Sequence, residues 1–311
     1  MNGFCTYCDR LKSAIQSENY CSHRNSKLDD ISSNAFTFES CSINSGVHNS
    51  RFSIRAVYNG YQKYQVHNRE FVLNSDQFLV VGEGERFEHQ LEQDKDASGI
   101  VVAFNPQFIK YYLYYINHSD DQILDHPFEK TEASLYFFDG SYEKTVALDM
   151  YLRTLIADIN KGLSDPLYYQ TLFVRLLDEL VGIENGLHQR IRNIPAMKKK
   201  TREELYKRLA ISKDYIDARI QEKLSLEKIA QHSCLSPFHF LRSFRDFYQM
   251  TPYQYVLQQR LKKAHFLIND SATSPKQVMR MSGFDNYRTF QRSFQKKYGV
   301  TPCKLRSNLD S

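Results

Sequence analysis

Hydrophobic and polar positions change rhythm twice along this chain. Between residues 51 and 104, short runs rich in β-branched and aromatic residues ("RFSIRAVY", "YQKYQV", "REFVL", "QFLVV", "RFEHQL", "GIVVAF") alternate with polar or glycine-bearing breaks. The breaks are "NG" (59–60), "HN" (67–68), "NSD" (74–76) and "GEGE" (82–85). Strands at this spacing predict a small antiparallel barrel or sandwich. Residues 1–50, rich in Ser, Asn and Cys, hold no sustained period and read as a poorly defined lead segment with one strand near "AFTFES" (35–40).

From Pro106 the period becomes helical. "PQFIKYYLYYI" predicts a short aromatic helix, and residues 143–160 place Leu148, Leu152, Leu155 and Ile159 at steps of four, three and four, one apolar stripe. That stripe suits packing against the strands or against a second subunit. "DPLYYQTLFVRLLDEL" (165–180) opens on an Asp cap with Pro at the first helical position. The Pro and lysines of "NIPAMKKK" (193–200) mark the end of the first half.

In the last third one phrase is written twice. "SPFHFLRSFRDFYQMTP" (236–252) and "DNYRTFQRSFQKKYGVTP" (285–302) each open on a capping residue, repeat an aromatic at every fourth place and close on Thr-Pro. Phe240, Phe244 and Tyr248, and again Phe290, Phe294 and Tyr298, therefore share one buried edge, while Arg242, about 200° around from Phe240, faces away. Each phrase follows a short helix and a tight turn: "SLEKIAQHSC" turning at Ser233–Cys234, and "SPKQVMRMSGF" turning at Ser282–Gly283. Short helix, turn and second helix with a polar outer face make a helix-turn-helix. Between the two, residues 252–270 predict a connecting helix with Tyr253, Leu257, Leu261, Ala264 and Ile268 inward. Eighteen residues of helix span ~27 Å. A strut of that length holds two reading helices about one duplex turn, ~34 Å, apart.

Charge points the same way. The chain of 311 residues carries 41 Lys and Arg against 36 Asp and Glu, but residues 198–311 alone hold 23 against 10, leaving 18 against 26 for residues 1–197. A basic half joined to an acidic half suggests that the basic half meets a polyanion. The length favours two or more domains. No apolar run reaches the ~18–20 residues of a membrane span, and the first thirty residues lack a signal peptide's apolar segment, so the expected compartment is the cytoplasm, without membrane association. Six scattered cysteines do not form a secreted-domain framework.

Residues 210–306 resemble the DNA-binding domain of AraC/XylS-type transcription regulators, carried by "LEKIAQHSCLSPFHFLRSF", "YQMTPYQYVLQQRLKKAHFLI" and "VMRMSGFDNYRTFQRSFQKKYGVTP". The resemblance implies an α+β chain: a lead at 1–50, a cupin-like sensor and dimerisation domain at 51–197 built on a small antiparallel β-barrel, and an all-α double helix-turn-helix domain at 198–311. It implies promoter DNA as the double-stranded partner, RNA polymerase as a further one, an antiparallel helical dimer contact near the leucine stripe, and no catalysis. Carried onto this sequence, the reading positions are Phe238, His239, Leu241 and Arg242 on the first helix and Arg288, Gln291 and Arg292 on the second. Either of Arg242 and Arg292 suits a two-pronged contact to guanine, worth ~1–3 kcal/mol of discrimination. Leu241 suits a thymine methyl, and Arg245, Ser243, Lys296 and Lys297 suit phosphates.

The first half offers weaker candidates. Tyr58, Tyr61, Tyr64, Phe71 and Phe87 are available to a small-molecule effector pocket, although aromatics in a barrel are more often plain core. His67 and His89 form no His-x-His pair, so a metal-dependent cupin enzyme is not expected, and no cofactor is implied. Cys5, Cys8, Cys21 and His23 have a spacing compatible with zinc. They motivate the alternative of a zinc- or redox-responsive DNA-associated protein.

Overall fold

Short runs rich in β-branched and aromatic residues build the N-terminal strands. In the computed structural model residues 33–40, 44–49, 51–90, 97–125, 135, 137–161, 165–194, 198–270 and 273–309 are described. Among the described residues nine strands run β1 Asn34–Ser40, β2 Asn44–Asn49, β3 Ser53–Asn59, β4 Gln62–Val66, β5 Arg69–Leu73, β6 Gln77–Val81, β7 Arg86–Gln90, β8 Ala97–Ala103 and β9 Gly140–Glu143. They form two antiparallel sheets, one ordered β1-β8-β3-β6-β9 and the other β2-β7-β4-β5. On β4 the burial alternates strictly, so Tyr64 and Val66 point inward to meet Phe71, Leu73, Val57 and Leu79 in one core. β6 is buried along its whole length, the pattern of a strand covered on both faces.

Two expectations change here. The stretch read as a lead with one strand near 35–40 contains that strand, β1, paired along its full length with β8, and also a second, β2, paired with β7. A second strand was missed because "NSGVHN" carries Asn, Ser and Gly in place of β-branched residues. The sheets are antiparallel as expected, but they are two sheets and not a demonstrated closed barrel.

The chain divides into two compact units, Met1–Gln189 and Arg190–Ser311. Helices of the first are α1 Pro106–Asn117, α2 Asp120–Asp125 and α3 Val146–Lys161, and α4 Pro166–Arg192 follows. Asn105 caps α1 by accepting from the backbone N–H of Gln107 and Phe108, ahead of Pro at the first position. Of the α3 stripe, Leu148, Leu152 and Leu155 are fully buried within the chain and Ile159 is half-buried. The stripe is therefore internal packing, and the helix turns Val146 (91% exposed) and Met150 (53%) outward.

The second unit holds α5 Lys199–Ala218, α6 Leu226–His232, α7 Pro237–Tyr248, α8 Pro252–Asp270, α9 Pro275–Met281, α10 Tyr287–Tyr298 and α11 Pro302–Leu309. The Thr-Pro closing each repeated phrase is the start of the next helix. Thr251 accepts from the Gln254 N–H and is answered by Gln254 Oε1 on its own N–H, while Thr301 accepts from the Lys304 N–H. Pro252 and Pro302 then sit at the first helical position, where a missing N–H matters least. The expected inner face of α8 is corrected. Tyr253 is 71% exposed and Leu257 half-buried, whereas Leu261, Ala264 and Ile268 are buried as expected and are joined by Tyr255, Val256 and Leu267. The connecting helix serves two helix-turn-helix cores, so it buries two faces and obscures a single stripe.

Candidate nucleic-acid interface

Each helix-turn-helix is built by the same local chemistry. Ser225 caps α6 through the Lys228 N–H, and Ser274 caps α9 in a full capping box with Gln277. Both short helices end in the same turn. The Leu235 N–H donates to the Ala230 carbonyl and the Cys234 N–H to Gln231; the Phe284 N–H donates to Met279 and the Gly283 N–H to Arg280. Such a double closure places one residue in the left-handed region. That residue is Cys234 (φ 54°) in the first copy and Gly283 (φ 84°) in the second.

The reading helices follow. Ser236 caps α7 through the His239 N–H, and Asn286, not Asp285, caps α10 through the Thr289 N–H. Their inner edges are aromatic ladders: Phe240 to Phe244 at 5.4 Å and Phe244 to Tyr248 at 4.5 Å, then Phe290 to Phe294 at 5.7 Å and Phe294 to Tyr298 at 4.7 Å. Four of these six rings are wholly buried. With one edge fixed inward, the residues two places on must face out.

They do. On α7, Phe238 is 78% exposed, Leu241, Arg242 and Arg245 are exposed, and His239 is half-buried. On α10, Arg288, Arg292 and Lys296 are exposed and Gln291 is half-buried. Among the phosphate candidates, Ser243 is buried and unavailable, because its side of α7 faces α5 and a cavity of about 450 Å³ lined by Arg190, Leu205, Leu209 and Phe247. Lys297 reaches back to the Gln258 carbonyl at 3.3 Å and leans on the Tyr298 ring. Arg242 borders the same cavity and lies 3.8 Å from Asp246, one turn on.

Rigidity comes from contacts that spacing could not reveal. Asp217 accepts from the Tyr255 hydroxyl at 2.8 Å and pairs with Lys213 at 3.3 Å, all three side chains being buried. This ties α5 to α8. Arg260 of α8 donates to the Ile220 carbonyl at 2.7 Å and to the Glu222 carbonyl at 2.6 Å. Gly283 approaches the same segment so closely that a Cβ there would stand 2.4 Å from the Ile220 oxygen. The turn of the second copy thus rests on the end of α5, which packs against α6 and α7 of the first copy. The Arg260 brace ends on backbone carbonyls, which leave no side-chain signature, so it was not readable beforehand.

Among the described residues, the effector candidates Tyr58, Tyr61, Tyr64 and Phe71 have different surroundings. Tyr64 and Phe71 are cross-strand partners inside the sheet core. Tyr58 is covered by Lys144 at 4.1 Å and Arg153 at 4.5 Å, and burial beside Asp149 pushes its hydroxyl pKa up. Tyr61 is half-buried. The Phe87 side chain, and Cys5, Cys8, Cys21 and His23, lie outside the described residues.

Two consecutive helix-turn-helix units with exposed basic outer faces, joined by one helix, define a helical nucleic-acid-binding class of domain. The comparisons sharpen this. A family described as a helix-turn-helix domain matches residues 229–308. The probable transcription factor PqrA of Proteus vulgaris is 34% identical over 87 residues, 28% of this chain and 71% of that protein. The arabinose operon regulatory protein of Escherichia coli is 27% identical over 158 residues, 49% of each chain. The DNA-binding domain of AdpA, solved in complex with a target DNA, is 25% identical over 32% of this chain and 90% of that one, with a TM-score of 0.31. The chain belongs to the AraC family of DNA-binding transcription regulators. It covers only 37% of LumQ of Photobacterium leiognathi, 28% of ArgR of Pseudomonas aeruginosa and 32% of PocR of Salmonella typhimurium. No helix among the described residues is long and apolar enough to cross a membrane.

Proposed function

We propose that this chain regulates transcription by reading promoter DNA with α7 and α10 in successive major grooves. Arg292 and Arg242 are the guanine readers, Arg288 and Gln291 are the flanking readers on α10, and Arg245 and Lys296 set register on phosphates. Phe238 and Leu241 read shape or a thymine methyl, and His239 joins them from the edge of α7. The observation that carries this reading is the opposition on each helix: wholly buried phenylalanines on one edge and exposed arginines on the other. α8 supplies the spacing, since its 19 residues measure about 28 Å, close to one duplex turn.

The N-terminal unit, in this reading, is a cupin-like sensor that receives an effector and forms a homodimer. The outward Val146 and Met150 of α3 give a dimer an apolar contact. RNA polymerase is the partner that such a regulator would engage.

The test is selection of bound sequences from a random duplex library by the full-length protein, repeated across a salt series. A two-box motif with boxes one turn apart is the expected result. Arg242→Ala and Arg292→Ala should each relax one box while the salt dependence of non-specific binding persists. An unchanged motif in the double variant sinks the assignment.

A further inference from the structure

Three turns of the N-terminal unit bring unlike metal-ligating groups together. His67 sits in the β4–β5 turn, Glu85 closes the β6–β7 turn, and Asp139 directly precedes β9. One donor atom from each lies within 4.8 Å of the other two. No motif spacing connects them in sequence, which is why they were not read as a set.

The geometry is held from several sides. His67 adopts φ 52°, a conformation a non-glycine residue rarely takes, and its carbonyl accepts from Gln65 Nε2 at 3.1 Å. Its Nε2 meets Glu85 Oε2. Asp139 Oδ1 accepts from the Gly82 N–H at 2.9 Å, and its backbone carbonyl accepts from Arg69 at 2.9 Å. A Cβ at Gly82 would stand 3.3 Å from both Asp139 Oδ1 and Glu85 Cγ, so a side chain there would crowd the two carboxyls. Burial, with Glu85 adding to it, pushes the Asp139 carboxyl above its ordinary pKa. An exposed His–Glu pair alone is worth under about 1 kcal/mol and explains neither the second carboxyl nor the turn that aims it.

We propose that His67, Glu85 and Asp139 form a binding site for a divalent transition-metal cation of the zinc class. One imidazole and two carboxylates are a donor set that zinc accepts, at ~2.0–2.2 Å per ligand. The His67 side chain is 54% exposed, so the outer face admits water as the remaining ligand. With neutral imidazole, the two carboxylates match the charge of a dication and their mutual repulsion is relieved. Gly82 and Arg69 act as the outer shell that orients Asp139. The site uses none of the cysteines, and it lies at the turns between strands. A bound ion cross-links three turns.

The experiment is calorimetric titration of chelator-treated full-length protein with zinc chloride, alongside His67→Ala, Glu85→Gln, Asp139→Asn and a Cys5→Ser/Cys8→Ser/Cys21→Ser triple variant. A cobalt(II) absorption spectrum is recorded for each. The expected result is one zinc per chain at micromolar Kd, weakened about tenfold or more in each of the first three variants and retained in the cysteine variant. The cobalt spectrum should then lack thiolate charge transfer. Affinity weaker than millimolar, or affinity indifferent to His67 and Glu85 substitution, overturns the proposal; that result identifies the trio as a plain ion pair beside a capped turn. Should Asp139→Asn fail to fold, Glu85→Gln decides alone, since its side chain is 31% exposed and near-isosteric.

Discussion

The two helix-turn-helix copies share their caps, their aromatic ladders and their Thr-Pro exits, yet they are stabilised by different means. In the first, two left-handed positions are filled by ordinary residues, Cys234 at the turn and Gln249 at the end of α7; in the second, both are glycines, Gly283 and Gly299. A non-glycine residue there costs about 1–2 kcal/mol. The first copy also buries the polar Lys213–Asp217–Tyr255 set, whereas the second packs an apolar cluster of Leu261, Leu267, Ile268, Val278, Met279, Phe284, Phe290 and Phe294. Additional contacts hold the first turn: Arg208 donates to the Cys234 carbonyl at 2.9 Å. A repeated phrase thus fixes a repeated shape, while the energy that holds the shape is free to differ.

The largest test of that contrast is Asp217→Ala. Removing the carboxylate that pairs with Lys213 and accepts from Tyr255 costs about 3–5 kcal/mol. Urea unfolding should show a loss of unfolding free energy of that size, and a loss below about 1 kcal/mol would mean that the first copy does not rest on its polar set. Next comes Gly283→Ala. Left-handed strain and the collision with the Ile220 oxygen add to about 2–4 kcal/mol. Gly299→Ala, with open space around its Cβ, should lose only the backbone part, about 1 kcal/mol. Equal losses at the two glycines would remove the close approach from the account. In the opposite sense, Cys234→Gly and Gln249→Gly should stabilise by up to about 1 kcal/mol each.

Function supplies the third comparison. Arg292 stands exposed on α10, whereas Arg242 shares its surroundings with Asp246 and the adjoining cavity. Leaving a carboxylate partner lowers the net gain of a base contact. Arg292→Ala is therefore expected to lose ~1–3 kcal/mol of binding to the selected motif, and Arg242→Ala less. Asp246→Asn should strengthen binding slightly by freeing Arg242. Competition titrations at fixed salt measure all three, and a larger loss at Arg242 reverses the ranking.

How much of this was legible depended on whether the signal was local. Caps, turns and ladders were, because Ser236, Ser274, Phe240 and Phe290 act through neighbours a few residues away. Ser243 was misplaced because helical spacing gives direction but not what another helix covers. Tyr253 was misplaced because α8 serves two cores. β2 was missed because "NSGVHN" lacks strand-favouring residues and is held by its pairing to β7. The Arg260 and Gly283 braces end on backbone carbonyls, which every residue owns. The His67, Glu85 and Asp139 set joins three turns whose proximity only the sheets create.

The smallest effect separates the last rungs of the two ladders. Tyr248 meets Phe247 and Tyr255, but its counterpart Tyr298 stacks on His265 at 4.4 Å. His265 also faces Phe294 and Asn269, with Lys297 nearby. Burial first, and Lys297 second, lower its pKa from the ordinary 6.5. The unfolded chain then binds a proton more readily than the folded one, so this contribution is intact above pH 6.5. It is lost as pH falls from there through the folded value. Unfolding measured at pH 7.5 and at pH 5.5 should show a stability decrease in the natural chain that is smaller in His265→Phe, which keeps the ring stack without the charge. The difference between the two chains isolates His265 from every other titrating group, and an identical decrease in both would assign the pH response elsewhere.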